Sequence, residues 1–505
     1  MDAARLVGLR SAGVFVSAPQ VAIVGGGMAG LAAAWELEPW SRAGALTVHL
    51  YEASDRFGGP LQTDLSSGLL IEGGPDSFLT TKPEGIALCS ELGLSDALIG
   101  TSPSARGAYI YRKNRLHRIP PVFGSPTGVA ARSLASSKLL SGPGRLRAAA
   151  GLALTRLVPI PIGDDVALGP NLRSRFGSEA VDWLFEPFVA GLHPAPLDVL
   201  STAAIDRMLP VRWTAATHPV PSHASGGGPT PAPGAGGRAS RSETPFVALR
   251  DGMAQLPRTL LASFRGTQVH PGQGVSELAP ENGRYSLRFP DGSNAVADTI
   301  LLAISAGSAA HILRAGFPDA ARELARIRLA DLVVVGFVFH RSDVPVPLDG
   351  TGVLVPRRSG LPISAVTWLS SKWERPDPTG ESVALRVFVR VEGFPSIEAP
   401  DAEWSSRARE GLRVTMGIQA APAYTMVFRH PRCLAWYSVG HAQRVGRVRQ
   451  ILRKWPRIEL IGSSYDGVGI PDAIRSGRQA ARRIATTLGR TPPSRPAQVP
   501  EGNPG

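Results

Sequence analysis

Cysteine is nearly absent. The 505 residues hold two, Cys89 and Cys433, too few for a disulfide-stapled scaffold or for a cysteine-built zinc or iron–sulfur site. Such scarcity suits a reducing compartment, and the chain reads as cytoplasmic. Histidine supplies no alternative: none of the ten histidines falls in a His-Glu-x-x-His pair, and no Gly-x-Ser-x-Gly elbow occurs. His218 and His223 share a linker, where solvation outweighs ligation. The sequence thus offers no metal ligand set and no catalytic acid, base or nucleophile.

An unbroken apolar span is also missing. Residues 11–35 carry no charge and are long enough to cross a bilayer. Pro19, Gln20 and the glycines at 25, 26, 27 and 30 interrupt them, so a short strand, a tight turn and a helix are expected instead. Residues 1–18 lack a small-residue cleavage pattern after an apolar core and are expected to be a disordered extension. Residues 218–244 and 489–505 are rich in Pro, Gly, Ser and Ala. They cannot bury a core and are expected to be a disordered insertion and a loose tail.

Carboxylates are missing from one long stretch. Residues 97–163 hold ten Lys or Arg and no Asp or Glu, so they carry most of the net charge of +13. Within them, residues 145–157 have the pattern of a basic amphipathic helix, followed by an apolar, proline-broken run at 158–162. Two readings stay open. The arginines face water, or the stretch docks on an anionic membrane surface, where each basic residue contributes about 1 kcal/mol; docking would place the protein peripherally on the inner face of the cell membrane. Few aromatic residues interleave with these charges for base stacking, so no nucleic-acid partner is expected.

What is present begins with one βαβ unit: a β-type run at 21–24, an alanine-rich helix at 31–37 and a second β-type run at 46–51, which together imply a parallel sheet. The turn between them reads Gly25-Gly26-Gly27-Met28-Ala29-Gly30. Glycines at this spacing permit the tight turn, let backbone approach a pyrophosphate and let helix and strand pack closely, while the helix N-terminus offers free N–H groups to phosphate. Glu52 ends the second run, where a carboxylate accepts from both ribose hydroxyls, with Ala53 beside it. Arg56-Phe57-Gly58-Gly59 follows, a second close backbone approach with a guanidinium placed near phosphate. These three elements predict a dinucleotide site; the acid does not separate FAD from NAD. Far away, residues 462–477 (GSSYDGVGIPDAIRSG) keep the backbone open at Gly467 and Gly469 and place Pro471 in the first turn of a helix.

With these residues in view, most of residues 20–485 resembles the protoporphyrinogen oxidases, within the flavin amine oxidase superfamily. The glycine fingerprint, Glu52 and Arg-Phe-Gly-Gly are common to the superfamily. The narrower signals are residues 72–78 (EGGPDSF), Arg175-Phe176-Gly177, residues 186–191 (EPFVAG), Gly252-Met253 with Leu256-Pro257, and Tyr437-x-x-Gly440-His441.

The resemblance implies an amine oxidase-like architecture, α/β plus α+β. A discontinuous Rossmann-like FAD-binding domain would comprise residues 19–96, 246–325 and 455–488. Residues 97–210 would form a basic helical subdomain, and residues 326–454 a mixed-sheet substrate domain. FAD would touch residues 25–30, Glu52, Ala53, Arg56, Gly58, Gly59, Gly74, Pro75, Asp76, Ser77, Val275 near the adenine, and Val468, Gly469 and Ile470 near the flavin. Arg106 would pair with a substrate carboxylate, and Leu354, Leu369 and Trp373 would sandwich a macrocycle. The implied activity is oxidation of protoporphyrinogen IX or coproporphyrinogen III to the porphyrin, with oxygen as acceptor. Segments 191–196 (GLHPAP) and 430–437 (HPRCLAWY) depart from the family pattern. That keeps open a porphyrin-binding flavoprotein without turnover, beside a sibling amine oxidase or carotenoid desaturase.

Overall fold

Residues 21–24 are apolar without alternation, as a strand buried on both faces requires, and they form the middle of a five-stranded parallel sheet. A computed structural model describes residues 18–122, 127–157, 165–191, 193, 195–203, 244–375, 380–393 and 396–489. Residues 1–17, 158–162, 218–243 and 490–505, on which several sequence expectations fall, lie outside the described residues.

The parallel sheet runs in the order Gln268–His270, Thr47–Tyr51, Gln20–Val24, Thr299–Leu302 and Ile458–Leu460. The strand order reverses at Gln20–Val24, so the crevice beyond its carboxyl end is the topological switch point where such sheets bind ligands. Helix Met28–Arg42 leaves that end with an alanine-rich buried face. Helix Ile470–Thr487 crosses it so closely that a Cβ on Gly477 would run into the Ala29 carbonyl. The first and last helices of the domain therefore touch at the fingerprint itself.

A second sheet has seven strands, in the order Tyr424–Ala435, Leu329–His340, Ser382–Val389, Ile363–Trp368, Gly352–Leu354, Tyr109–Arg112 and Arg115–Arg118. Side chains alternate between its faces. Val383, Leu385, Val387, Val333, Val335 and Phe337 point one way, into a core closed by Trp404, Leu412 and Met416 of helix Asp401–Met416. The opposite face carries Leu354, Ala365, Phe388, Val334 and Phe428, in register as one row across five strands.

Two expectations about domain limits meet a different arrangement. Within 97–210, Leu98–Gly100 pairs with Phe246–Leu249, and the hairpin Tyr109–Arg118 finishes the seven-stranded sheet. Helices cluster only in the later part, around Leu134, Leu140, Ala148, Leu172, Phe176 and Phe185. Helix His441–Leu452, placed by sequence in the substrate domain, packs Val445, Val448 and Leu452 with Leu313 and Leu324 of the first domain. Strand pairing and helix docking between distant segments decide both cases. No helix among the described residues is long and apolar enough to cross a membrane.

Candidate active site

Gly25 adopts φ +107°, where an L side chain is strained, and a Cβ there would stand 2.6 Å from the Ala303 carbonyl oxygen. The chain thus turns sharply off its strand, and helix Met28–Arg42 starts at Gly27 with no side-chain cap, which leaves first-turn N–H groups for an anion. A Cβ on Gly27 would meet nothing within 4 Å, whereas one on Gly30 would strike the Gly25 carbonyl. The fingerprint therefore has one glycine for the turn, one open to a ligand and one for packing.

The other expected cofactor residues converge here. A Glu52 carboxylate oxygen accepts the Gly26 N–H at 2.7 Å, and its second oxygen accepts from Ser54 at 2.9 Å (N–H) and 2.8 Å (O–H). The Gly58 N–H donates to the Gly26 carbonyl at 2.8 Å, and the Arg56 guanidinium donates to the Gly59 carbonyl at 2.6 Å. A Cβ on Gly59 would lie 3.4 Å from the Gly27 Cα, and one on Gly274, next to Val275, would lie 2.9 Å from the Ala53 Cβ. Residues 25–30, 52–59 and 274–275 thus line one groove from a carboxylate to the helix start. At its other end, Gly469 caps helix Ile470–Thr487 and donates its N–H to Asp472 at 3.3 Å. Asp472 in turn pairs with Lys82 and Arg475, both at 2.6 Å. The open cradle at Gly27, the uncapped helix and the acid at the groove's end fit FAD.

Residues 72–77 cross between the groove and the seven-stranded sheet, over a buried ionic cluster. Glu72 has no exposure. It accepts the Met253 N–H and the Thr63 hydroxyl, each at 2.8 Å, and faces Arg375 at 3.4 Å. Burial nevertheless raises its pKa. Asp76 faces Lys372 at 2.8 Å and Arg386 at 3.3 Å, and accepts the Ser77 hydroxyl at 3.0 Å. Burial works to raise Asp76, but Lys372 and Arg386 outweigh it and hold the carboxyl below its ordinary range. Arg386 also donates to the Gly74 carbonyl. His430 donates Nε2–H to the Gly73 carbonyl at 2.8 Å, and burial depresses its pKa, which favours the neutral ring.

The expected substrate residues are not brought together. Leu354 stands half-buried on the same face of the sheet as Phe388, near Gly191 and packed against the helical cluster. Leu369 and Trp373 follow the end of strand Ile363–Trp368 and are buried in the same core as Val334 and Phe428, 2% and 1% exposed. The Trp373 indole N–H points to Asp76 at 3.4 Å. The two have no surface to offer a macrocycle, because the short helix at Leu369 turns them into that core. Thr367 and Phe388 occupy the sheet face instead. A lone arginine inside the apolar strand SVALRVFV was the signal that this strand faces a buried carboxylate, Asp76. Arg106 lies on an exposed loop, its N–H donating to the Asp349 carbonyl at 3.1 Å. Beside it Arg118 pairs with Asp349 at 2.7 Å. Among the described residues, no group of three or more His, Cys, Asp or Glu is placed to hold a metal.

Comparison with known proteins agrees with this geometry. The flavin containing amine oxidoreductase family matches residues 28–485. A coproporphyrinogen III oxidase of Propionibacterium freudenreichii subsp. freudenreichii is 32% identical over 94% of this chain and 92% of its own. The protoporphyrinogen oxidase of Homo sapiens is 29% identical over 92% of this chain and 98% of its own. The solved structure of a candidate protoporphyrinogen oxidase from Exiguobacterium sp. 255-15 superposes with a TM-score of 0.76 at 27% identity, over 93% of this chain and 99% of that one. The chain belongs to the flavin containing amine oxidoreductases, an oxidoreductase whose cofactor is FAD.

Proposed function

We propose that this chain oxidises a porphyrinogen to the aromatic porphyrin, with coproporphyrinogen III as the preferred substrate, protoporphyrinogen IX as the lesser one, and oxygen as the final acceptor. The observation that carries the reading is the half-buried apolar pair Leu354 and Phe388 on one face of the seven-stranded sheet, joined in register through Ala365. The names of relatives similar over nearly the whole chain support it, as does the cationic surplus of +13, which suits a substrate with several carboxylates. Bound FAD supplies two-electron oxidation of a bridging carbon in each of three rounds. The protein holds the disc against the sheet face, keeps water from it and clamps its carboxylates, so orientation carries much of the rate. The substrate's own pyrrole N–H groups release protons, so no strong side-chain base is required. FAD is assigned to residues 25–30, Glu52, Ala53, Arg56, Gly58, Gly59, residues 74–77, Val275 and residues 468–470.

Aerobic turnover of both porphyrinogens side by side, followed by product fluorescence, tests the proposal. Faster turnover of coproporphyrinogen III is expected; FAD-loaded protein that forms no porphyrin from either would overturn it. Arg106 is assigned to a substrate carboxylate. Arg106→Ala should raise KM about tenfold, the scale of one lost charge-assisted hydrogen bond, while FAD content stays unchanged. A parent-like KM removes Arg106 from the site.

The basic stretch is assigned to an anionic membrane surface on the cytoplasmic side. Helix Gly142–Leu157 keeps Leu146 75% and Leu154 42% exposed in a region without carboxylates, the composition of a surface-lying helix. The protein should sediment with phosphatidylserine vesicles and not with neutral ones, and the double change Leu146→Glu, Leu154→Glu should abolish sedimentation. Equal behaviour of parent and variant would dismiss the docking role.

A further inference from the structure

We infer that Tyr437 is a positioning residue for the flavin: it pins the glycine-rich loop ahead of helix Ile470–Thr487 to the substrate side of the molecule, and so fixes how that helix start meets the ring. The inference rests on the assignment of Val468, Gly469 and Ile470 to the flavin made above.

The loop needs external support. Gly467 has φ +121°, and a Cβ there would lie 2.8 Å from the Asp472 carboxyl carbon, so the chain turns here without a side chain of its own to lock it. Some holds come from the loop's own helix. The Gly462 N–H donates to the Ser476 hydroxyl at 2.9 Å, and that hydroxyl donates to Asp466 at 2.6 Å. Others come from the first domain: the Ser464 hydroxyl accepts the Ala306 N–H at 3.1 Å, and the Tyr465 hydroxyl donates to the Ile304 carbonyl at 3.2 Å.

Tyr437 supplies the hold from the opposite side. It follows strand Tyr424–Ala435 of the seven-stranded sheet and is 3% exposed. Its hydroxyl accepts the Gly467 N–H and donates to the Ser463 carbonyl, both at 2.8 Å. One group thereby bridges two points of the loop four residues apart. Its own carbonyl accepts the Ser201 N–H at 2.8 Å, so the helical part of the molecule meets at the same residue. The rings of His193 and His441 flank it, with centroids at 5.9 and 4.2 Å. Burial, first of all, holds both histidines down to about 4. Burial pushes the Tyr437 hydroxyl well above its ordinary range. The phenol therefore remains a neutral donor and acceptor, and the two histidine rings beside it stay uncharged at neutral pH. A helix start held in register with the ring stabilises negative charge on the reduced flavin; released, it stabilises that charge less.

Two measurements test this. In the parent, hydrogen exchange followed by mass spectrometry should show the Gly467 amide protected, with or without FAD; exchange at the rate of an open loop would overturn the inference without any variant. In Tyr437→Phe, that amide should exchange about tenfold faster, on the scale of one lost hydrogen bond. The bound flavin should also be harder to reduce, with the reduced-to-oxidised ratio at fixed potential down about tenfold, or about 30 mV for a two-electron couple. A variant that frees the amide but leaves the potential unchanged makes Tyr437 a packing residue only. Parent protein that takes up no FAD would instead remove the cofactor assignment, and this inference with it.

Discussion

Asp76→Asn is expected to cost the fold about 3–5 kcal/mol at neutral pH, the range for breaking a buried ion pair from one side. Asp76 is 6% exposed and faces Lys372 at 2.8 Å and Arg386 at 3.3 Å. With Glu72 and Arg375, these form a cluster of three cations and two carboxylates. Asparagine keeps the shape and removes one negative charge, so two buried cations lose their shared partner. The pH dependence has a definite sign. The folded-state pKa of Asp76 lies below its ordinary value. Its contribution is therefore complete above about pH 4, the unfolded value, and drains away as pH falls below that. The parent should lose this part of its stability in acid, and the variant has none of it to lose. Burial holds Lys372 below its ordinary value, against the pull of Asp76. Without the carboxylate it falls further. An amine whose folded value is depressed gains stability as pH rises toward the unfolded value, near 10.4, so the variant's deficit should narrow in alkali. Urea midpoints at acidic, neutral and alkaline pH measure all of this. A parent-like midpoint at neutral pH would contradict the ionic role of Asp76.

Gly27→Val should leave the fold standing and weaken FAD binding at least about 100-fold, equivalent to roughly 2.7 kcal/mol. Gly27 sits at φ −71° and ψ 178°, open to any residue, and a Cβ there touches nothing within 4 Å. The added side chain fills the cradle and nothing else. Gly30→Ala makes the contrast: its methyl meets the Gly25 carbonyl inside the turn, so thermal stability falls before cofactor affinity is in question. Absorbance of bound flavin after gel filtration, with a melting curve on the same sample, separates the two. A yellow, normally saturated Gly27→Val protein would move the pyrophosphate site elsewhere.

These two positions show what the sequence made legible. Gly25, Gly27, Gly30 and Glu52 announce themselves because backbone geometry near phosphate admits few residues, and they lie within one local βαβ unit. The partners of Asp76 are invisible at that range: Lys372 stands 296 residues away, and only sheet pairing delivers it. The burial of Leu369 and Trp373 was hidden for the same reason. Their apolar character was plain, but which face they occupy depends on where strand Ile363–Trp368 stops. The hairpin Tyr109–Arg118 joined a sheet whose other strands lie more than 200 residues on, something no local periodicity encodes. Of the narrower motifs, Glu72 with Met253 and Tyr437 with Gly467 prove to be hydrogen-bonded pairs.

The close crossing of helices Met28–Arg42 and Ile470–Thr487 carries a consequence for biosynthesis. A ribosome adding roughly 5–20 residues per second needs on the order of 20–90 s to pass from one to the other. Throughout that interval the small-residue surface around Ala29 and Ala33 waits for its cover, and the parallel sheet lacks Ile458–Leu460, its final strand. The nascent polypeptide is thus obliged to shelter this nucleotide fold until residues 458–487 have been made, so a nonsense or frameshift lesion ahead of them leaves the fold without its cover.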